Sequence, residues 1–579
     1  MDAIIGTGKI SKRQYEIIAE RSISVPMSDG ITIDVDIFRP ASQDKFPALV
    51  ALSSFDKEAQ SDRIWPAAPR SRRIRGMADA DIEAGPIDFF VRRGYVYIVG
   101  SVRGTGSSGG AYRYRCPKEC RDLYEVIEWA AEQPWCDGNV GMQGIGYFVA
   151  HQIDVATMAP PHLKAIAPIS SFFDNYRYFW WKGGILASGF ARWLISMTNM
   201  DIHTQESVLK EELGEEGYKE AIARALADKD LCADPAIVEA LQNPDIPSNA
   251  AFLDIVLHPL YGKFWQDRAT EDFGKVKIPV YHASSEHRPG ALYHWPEFQV
   301  PQKLFSFPKP YSDRPYYQAA WEVLRWYDYW LKGIDTGIMD EPRVRIFVEG
   351  SNEWLVADDY PIPGTKWIPF NLHSNHSLCE IEPWPDAPSA SYDDAPSNRG
   401  SLEYKTAPMV ENTEVVGPIV LNLYASCRGT DMNFFVGMWD EDPDGKKLCL
   451  TRGWLKASHR ETDPERSKPY LPYHTHTNPQ PLVPGRVYEF NIPLFPTANL
   501  FKAGHRIMLK ISSADDVPER LSEVRMTHIV SQTPNTITVY HNARYPSHLL
   551  LPITKGNIVG TYVSGGDISL GNKEFMKQE

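Results

Sequence analysis

The chain has 579 residues, too many for one core, and 43% hydrophobic, 12% aromatic and 23% charged residues describe an ordinary globular protein. A net charge of −14 without any lysine- or arginine-rich run counts against nucleic acid and anionic membrane as partners. Seven scattered cysteines, with no apolar leader and no stretch of membrane-spanning length, count against a disulfide framework and favour a soluble cytoplasmic protein.

The elements follow from the patterning. "ISVPMSDGITIDVDIFRP" alternates apolar and polar residues around Ser28-Asp29-Gly30 and predicts a β-hairpin. "FPALVALSSF" and "RRGYVYIVGSVRG" are apolar runs of buried strands. "CRDLYEVIEWAAEQPW" sets Leu123, Val126, Ile127 and Ala130 on one helical face, and Pro134 ends it. "GNVGMQGIG" reads as strand and turn, "YFVAHQIDVATMAPP" as a helix, and "LKAIAPIS" as a strand, the alternation of a mostly parallel α/β sheet. From 178 to 274 the pattern is helical without strands, which predicts an inserted cap. The α/β core resumes at 275–350 with "KIPVYHASSEHRPG", "QKLFSFPKP" and the helix "YYQAAWEVLRWYDYWLKGID". After 350 short alternating segments separated by turns such as "DEDPDG" predict an all-β domain of sandwich type, running from 351 to the end. Residues 1–20 read as an extension before a core that starts at 21.

"GNVGMQGIGYFVA" has the grammar of a nucleophile elbow, G-x-S-x-G, the strand-to-helix turn that lifts a catalytic serine above an α/β-hydrolase sheet. Here the middle position is Gly146 and the last is Phe148. The turn is present and the hydroxyl is absent.

Several stretches resemble the CocE/NonD family of serine hydrolases, the group of cocaine esterase and X-prolyl dipeptidyl peptidase. They are "RRGYVYIVGSVRGTGSSGG", "IEWAAEQPWCDGNVGMQGIGY", "PPHLKAIAPIS", "YDYWLKGID" and "PSHLLLPI". The resemblance implies an α/β-hydrolase core with a helical cap and a C-terminal β jelly roll, in the order read from periodicity. It also implies a Ser-His-Asp triad with an oxyanion tyrosine, and this sequence departs at each position. The nucleophile's place after Gly144-Ile145 holds Gly146. The acid's place in "ASSEHR" falls near Arg288. The base's place in "FPKPY" falls on Tyr311, or on Phe307 in a shifted register. The oxyanion tyrosine's place holds Phe55. Four changes together imply a natural hydrolase-like protein with its triad replaced rather than a trapped esterase.

Without an activated nucleophile no acyl-enzyme forms by the family route. What remains is a pocket able to orient a substrate and stabilise developing charge. Glu286, His287 and Arg288, at the carboxyl end of a core strand, are candidates for acid/base and anion-holding roles, with Tyr311 as a proton donor. Phe55, Gly146, Tyr147, Tyr176, Trp180 and Trp181 are candidates for substrate contact, with Tyr178 beside them in the cap and the Tyr147 N–H aimed at the pocket. The leading expectation is a cofactor-independent cyclase, pericyclase, isomerase or lyase acting on an apolar biosynthetic intermediate. The alternatives are an esterase, peptidase or acyltransferase with a displaced nucleophile, or a non-catalytic binding protein. For the displaced nucleophile, Ser53, Ser54, Ser284 and Ser285 are candidates, with His287 as the activating base. No cofactor and no metal is expected: Cys116 and Cys120 lack partner ligands in sequence, and "HTHT" offers His474 and His476 on one strand face without a third. His151 and His282 read as buried structural histidines. The expected partner is a small molecule, with a homodimer left open.

Overall fold

The expected hairpin is β1 (Ile17–Pro26) and β2 (Thr32–Pro40), paired antiparallel from Ile17↔Pro40 to Pro26↔Thr32. β3 (Phe46–Ser53) is buried at every residue because the sheet it enters is covered on both faces. There follow α1 (Ile87–Val91), β4 (Val96–Ser101), α2 (Pro117–Ala131) and β5 (Cys136–Met142). α2 starts with Pro117 after a Cys116 N-cap and buries Leu123, Val126, Ile127 and Ala130, the face read from the sequence. The computed structural model describes residues 9–55, 57, 83–170, 173–189, 202–285, 289–308, 317–516 and 527–556.

The helix expected after β5 is two short pieces, α3 (Tyr147–Ala150) and α4 (Gln152–Thr157), which meet at His151; β6 (Leu163–Ile166) follows. The cap is not wholly helical. After a π-helical turn at Tyr176–Trp180 the chain makes a small hairpin, β7 (Trp181–Lys182) and β8 (Ile185–Leu186), where a helix was expected. Gly183 and Gly184 at its tip take positive φ, which closes the turn. Among the described residues four α-helices follow in the cap: α5 (Val208–Ala227), α6 (Pro235–Gln242), α7 (Ala250–Leu257) and α8 (Lys263–Gln266). Then come β9 (Val280–Ser285), α9 (Pro289–His294), β10 (Gln302–Phe307), α10 (Tyr317–Lys332), β11 (Val344–Val348) and β12 (Glu353–Ala357).

These strands form one sheet in the order β1-β2-β4-β3-β5-β6-β9-β10-β11-β12. It is parallel from β4 to β11 and antiparallel at both edges. β12 extends this sheet to Ala357, and β1 places Ile17 to Glu20 in it.

The remaining strands make a 13-stranded antiparallel sheet folded around its own apolar core, which includes Phe370, Leu421, Phe434, Phe490 and Leu551. Its longest ladder runs from Thr413↔Phe501 to Ala425↔Tyr488. "DEDPDG" is the turn joining Asn433–Glu441 to Lys447–Lys456, with Asp442 N–H donating to the Lys446 carbonyl at 3.0 Å.

The β domain docks on the cap and on α9. Arg177 donates to the His474 carbonyl at 3.0 and 2.9 Å, pairs with Asp174 at 2.6 Å, and lies between the rings of Tyr261 and Tyr473. Tyr293 donates to the Leu494 carbonyl at 2.8 Å. Gly183 accepts from Lys456 N–H at 2.8 Å, and a Cβ there would stand 2.0 Å from the Trp454 carbonyl oxygen. Only glycine permits that approach.

Candidate active site

The turn after β5 has the backbone of an elbow. Gly146 adopts φ 59° and ψ −115°, the strained conformation of a strand-to-helix turn that presents its residue above the sheet. Ile145 bridges Ile169, and Ile169 bridges Ala283, so the loops after β5, β6 and β9 converge at the carboxyl end of the parallel strands. Ligands bind α/β sheets at that end.

A side chain from elsewhere stands where the nucleophile belongs. A Cβ on Gly146 would lie 2.7 Å from Glu83 Oε2, and Glu83 is 8% exposed. A serine hydroxyl would project into the same carboxylate. Gly146 thus opens the space that Glu83 fills. The Tyr147 N–H opens α3, where helix geometry supplies no intrahelical acceptor. Phe55 is buried, its ring 6.0 Å from that of Tyr147 at an edge-on angle, and its N–H donates to Ser53 Oγ at 3.0 Å. Phe55 therefore packs on Tyr147, the residue that follows Gly146.

Beneath α3 lies a buried polar network. The Tyr147 hydroxyl donates to Glu119 Oε2 at 2.8 Å, and the same oxygen is 3.1 Å from His151 Nε2. His151 Nδ1 is 3.2 Å from Cys120 Sγ and 3.9 Å from Asp154 Oδ2. Burial opposes protonation of His151, but Cys120, Asp154 and Glu119 outweigh it and raise its pKa well above the ordinary range. The geometry suits an imidazolium that donates on both sides, and His151 is a satisfied core histidine, as the sequence suggested. One atom each of Cys120, His151 and Asp154 lies within 4.8 Å of the others, a group able to hold a metal ion. Arg115 at 3.5 Å from Asp154, and Glu119 on the far nitrogen of His151, join these groups in a hydrogen-bonded ion network.

The other candidates separate. Glu286, His287, Arg288 and Tyr311 lie outside the described residues, as does the side chain of Ser285. Tyr176, Trp180 and Trp181 need correction. Tyr176 and Trp180 are 0% exposed and Trp181 is 4% exposed. Their donors go to protein acceptors: the Pro259 carbonyl, the Tyr114 hydroxyl and the Ile255 carbonyl. They cement the cap instead of roofing a pocket, because apolar area is better buried against α7 and α8 than held at a wet cleft. Of the cap aromatics named, Tyr178 lines a cavity. Ser53, Ser54 and Ser284 are buried at 0, 0 and 2% exposure. His282 is fully buried between Trp295 and Phe298, and burial pulls its pKa down to about 3, so it is a neutral core residue. His474 and His476 are in a loop, not a strand; His474 Nε2 bonds the Asn491 carbonyl at 2.7 Å and His476 Nδ1 lies 3.1 Å from His459 Nδ1. Glu83 escaped the sequence reading because 62 residues of sequence lie between it and the elbow, with no motif linking them.

All seven cysteines are free thiols. Among the described residues no helix is long and apolar enough to cross a membrane.

The comparisons agree with this architecture. Residues 29–291 match the family model of the X-Pro dipeptidyl-peptidase (S15 family), and residues 336–550 match that of the X-Pro dipeptidyl-peptidase C-terminal non-catalytic domain. The chain is 24% identical to the cocaine esterase of Rhodococcus sp. (strain MB1 Bresler), over 92% of this chain and 98% of the relative. Among solved structures, a CocE/NonD family hydrolase from Staphylococcus aureus superposes with a TM-score of 0.75 at 24% identity, covering 93% of this chain and 94% of that one. An α-amino acid ester hydrolase superposes with a TM-score of 0.72 at 17% identity, covering 94% and 98%. With an α/β-hydrolase core, an inserted cap and a C-terminal all-β domain matched along nearly its whole length, the chain belongs to the CocE/NonD family.

Proposed function

We propose that this protein is a hydrolase-family enzyme for a carbonyl substrate, an ester or amide, whose elbow works by carboxylate-base chemistry instead of an acyl-enzyme. One observation carries the reading: Glu83 Oε2 sits 2.7 Å from the Cβ position of Gly146, over the turn that presents the family's nucleophile. Relatives bearing the names esterase and dipeptidyl-peptidase support the substrate class. Glu83 takes a proton from water, the hydroxide adds to the carbonyl carbon, and the Tyr147 N–H donates to the developing oxyanion. The tetrahedral species collapses as the carboxylic acid of Glu83 returns the proton to the leaving group. The triad's acid and base become dispensable, consistent with Arg288 and Tyr311 at their sequence positions.

The test is hydrolysis of a panel of aryl and alkyl esters by the full chain, followed before steady state. The reading expects turnover without an initial burst, and loss of kcat in Glu83→Gln. A burst, or unchanged kcat in Glu83→Gln, overturns it.

A second reading keeps the same carboxylate and dispenses with water: cofactor-free cyclisation, rearrangement, isomerisation or elimination of an apolar intermediate, with Glu83 as proton abstractor. What favours it is Gly146, which supplies no nucleophile at the elbow. Turnover in ¹⁸O-labelled water separates the two, since hydrolysis places the label in the product acid and rearrangement does not.

A further inference from the structure

A second constellation shares no residue with the elbow. A cavity of about 270 Å³ opens where the cap, α9 and the β domain meet. Its apolar wall includes Tyr293, Trp454, Leu471, Pro472, Pro493 and Phe495. Into it faces Tyr178, whose hydroxyl is 3.0 Å from His294 Nε2; His294 Nδ1 is 2.7 Å from Glu297 Oε1. Tyr178 and His294 are 8% and 7% exposed, and the imidazole is stacked on Phe273 with centroids 4.6 Å apart.

In the neutral imidazole, with Glu297 accepting from Nδ1–H, Nε2 is the lone-pair nitrogen and the Tyr178 O–H donates to it. Burial opposes ionisation of Glu297, but the contact with His294 outweighs it and keeps the carboxylate charged, as an orienting acid must be. Burial holds the Tyr178 phenol well above its ordinary range, so it stays protonated and needs a base. This is the nucleophile–base–orienter arrangement of covalent catalysis, with a phenol in the serine's role. The other tyrosines on the cavity lack it: Tyr293 donates to a carbonyl, and the Tyr473 hydroxyl has no hydrogen-bond partner among the described residues.

We propose that Tyr178, His294 and Glu297 form an acyl-accepting relay for activated esters of small apolar acids. Tyr178 Oη adds to the ester carbonyl as its proton passes to His294 Nε2, and Glu297 stabilises the imidazolium. The imidazolium returns that proton to the leaving alcohol or phenol as the ester C–O bond breaks, leaving an O-acyl-tyrosine. Water, deprotonated by His294, releases the acid and restores the phenol. A cavity of this size, near the lower end of small-molecule sites at ~300 Å³, suits a one- or two-ring acyl group. The inference goes beyond the elbow chemistry and does not rest on it.

The test uses p-nitrophenyl acetate on the full chain, with acid quench and peptide mapping by mass spectrometry. An acetyl group is expected on Tyr178, forming roughly a hundredfold more slowly in His294→Gln and at the original rate in Tyr545→Phe, a β-domain substitution outside the cavity. Because the readout is modification at a mapped residue, it is independent of turnover at Glu83, and mapping the unmutated chain decides the matter even where a variant fails to fold. Tyr178 unmodified, or modified equally fast in His294→Gln, overturns the proposal.

Discussion

The elbow and the cavity behind the cap divide between them what a serine hydrolase keeps in one place. At the elbow the backbone is intact and the side chain is gone: Gly146 holds φ 59° and ψ −115° with nothing to present. At the cavity the side chains are assembled, Tyr178 to His294 to Glu297 at 3.0 and 2.7 Å, on a π-helical turn, a short helix and the 3-10 turn that follows it. The lesson is that strained backbone geometry and catalytic side chains are separable. The turn survives because β5, α3 and the flanking loops determine it through packing, whether or not a hydroxyl occupies it.

That comparison can be broken or sharpened by experiment. The largest effect is expected in Glu83→Gln, which removes the base at the elbow and should lower kcat by roughly 10²- to 10⁴-fold with little change in KM. An unchanged kcat would move the chemistry away from the elbow. Next, Arg177→Ala leaves Asp174 buried without its partner and cuts the cap's bonds to the His474 carbonyl; a loss of ~3–5 kcal/mol, read by denaturant unfolding, is expected. A small loss would mean that the cavity wall is held by other contacts. Gly146→Ala places a Cβ against Glu83 in a left-handed backbone and should cost ~1–3 kcal/mol. Gly146→Ser should suffer the same strain and gain no fluorophosphonate label at that position; rapid labelling there would show a working family triad.

The smallest effect concerns pH. His282 titrates at about 3 in the folded chain, against an ordinary value of 6.5, because burial penalises its cation. Between those values the unfolded chain binds a proton that the folded chain does not, so stability is full above pH 6.5 and falls as the medium is acidified toward pH 3. His459 and His541, both lowered to about 4 chiefly by burial, act in the same direction. His282→Leu should flatten part of this acid limb, measured as Tm against pH. An unaltered slope would mean that its titration does not contribute.

The contrast between the two sites is also a contrast in what could be read in advance. The α/β order, the α2 face and the "DEDPDG" turn were legible because local period and turn chemistry specify them. The small hairpin β7–β8 was not, since "WWKGGILA" is apolar enough for a helix and only docking of Gly183 on Trp454 selects the turn. His294 and Glu297 did leave a trace, a histidine and a glutamate three residues apart in "HWPE", but nothing local marks Tyr178 as their partner.

By itself the sequence determined the succession of elements, the family and the loss of a hydroxyl at Gly146, because those depend on residue type and near spacing. Only the tertiary structure decided that Glu83 fills the vacated place, that Tyr176, Trp180 and Trp181 are packing, and that Tyr178 meets His294. Those facts depend on contacts between residues far apart in the chain, and such contacts are chosen by the shape and burial of the whole core.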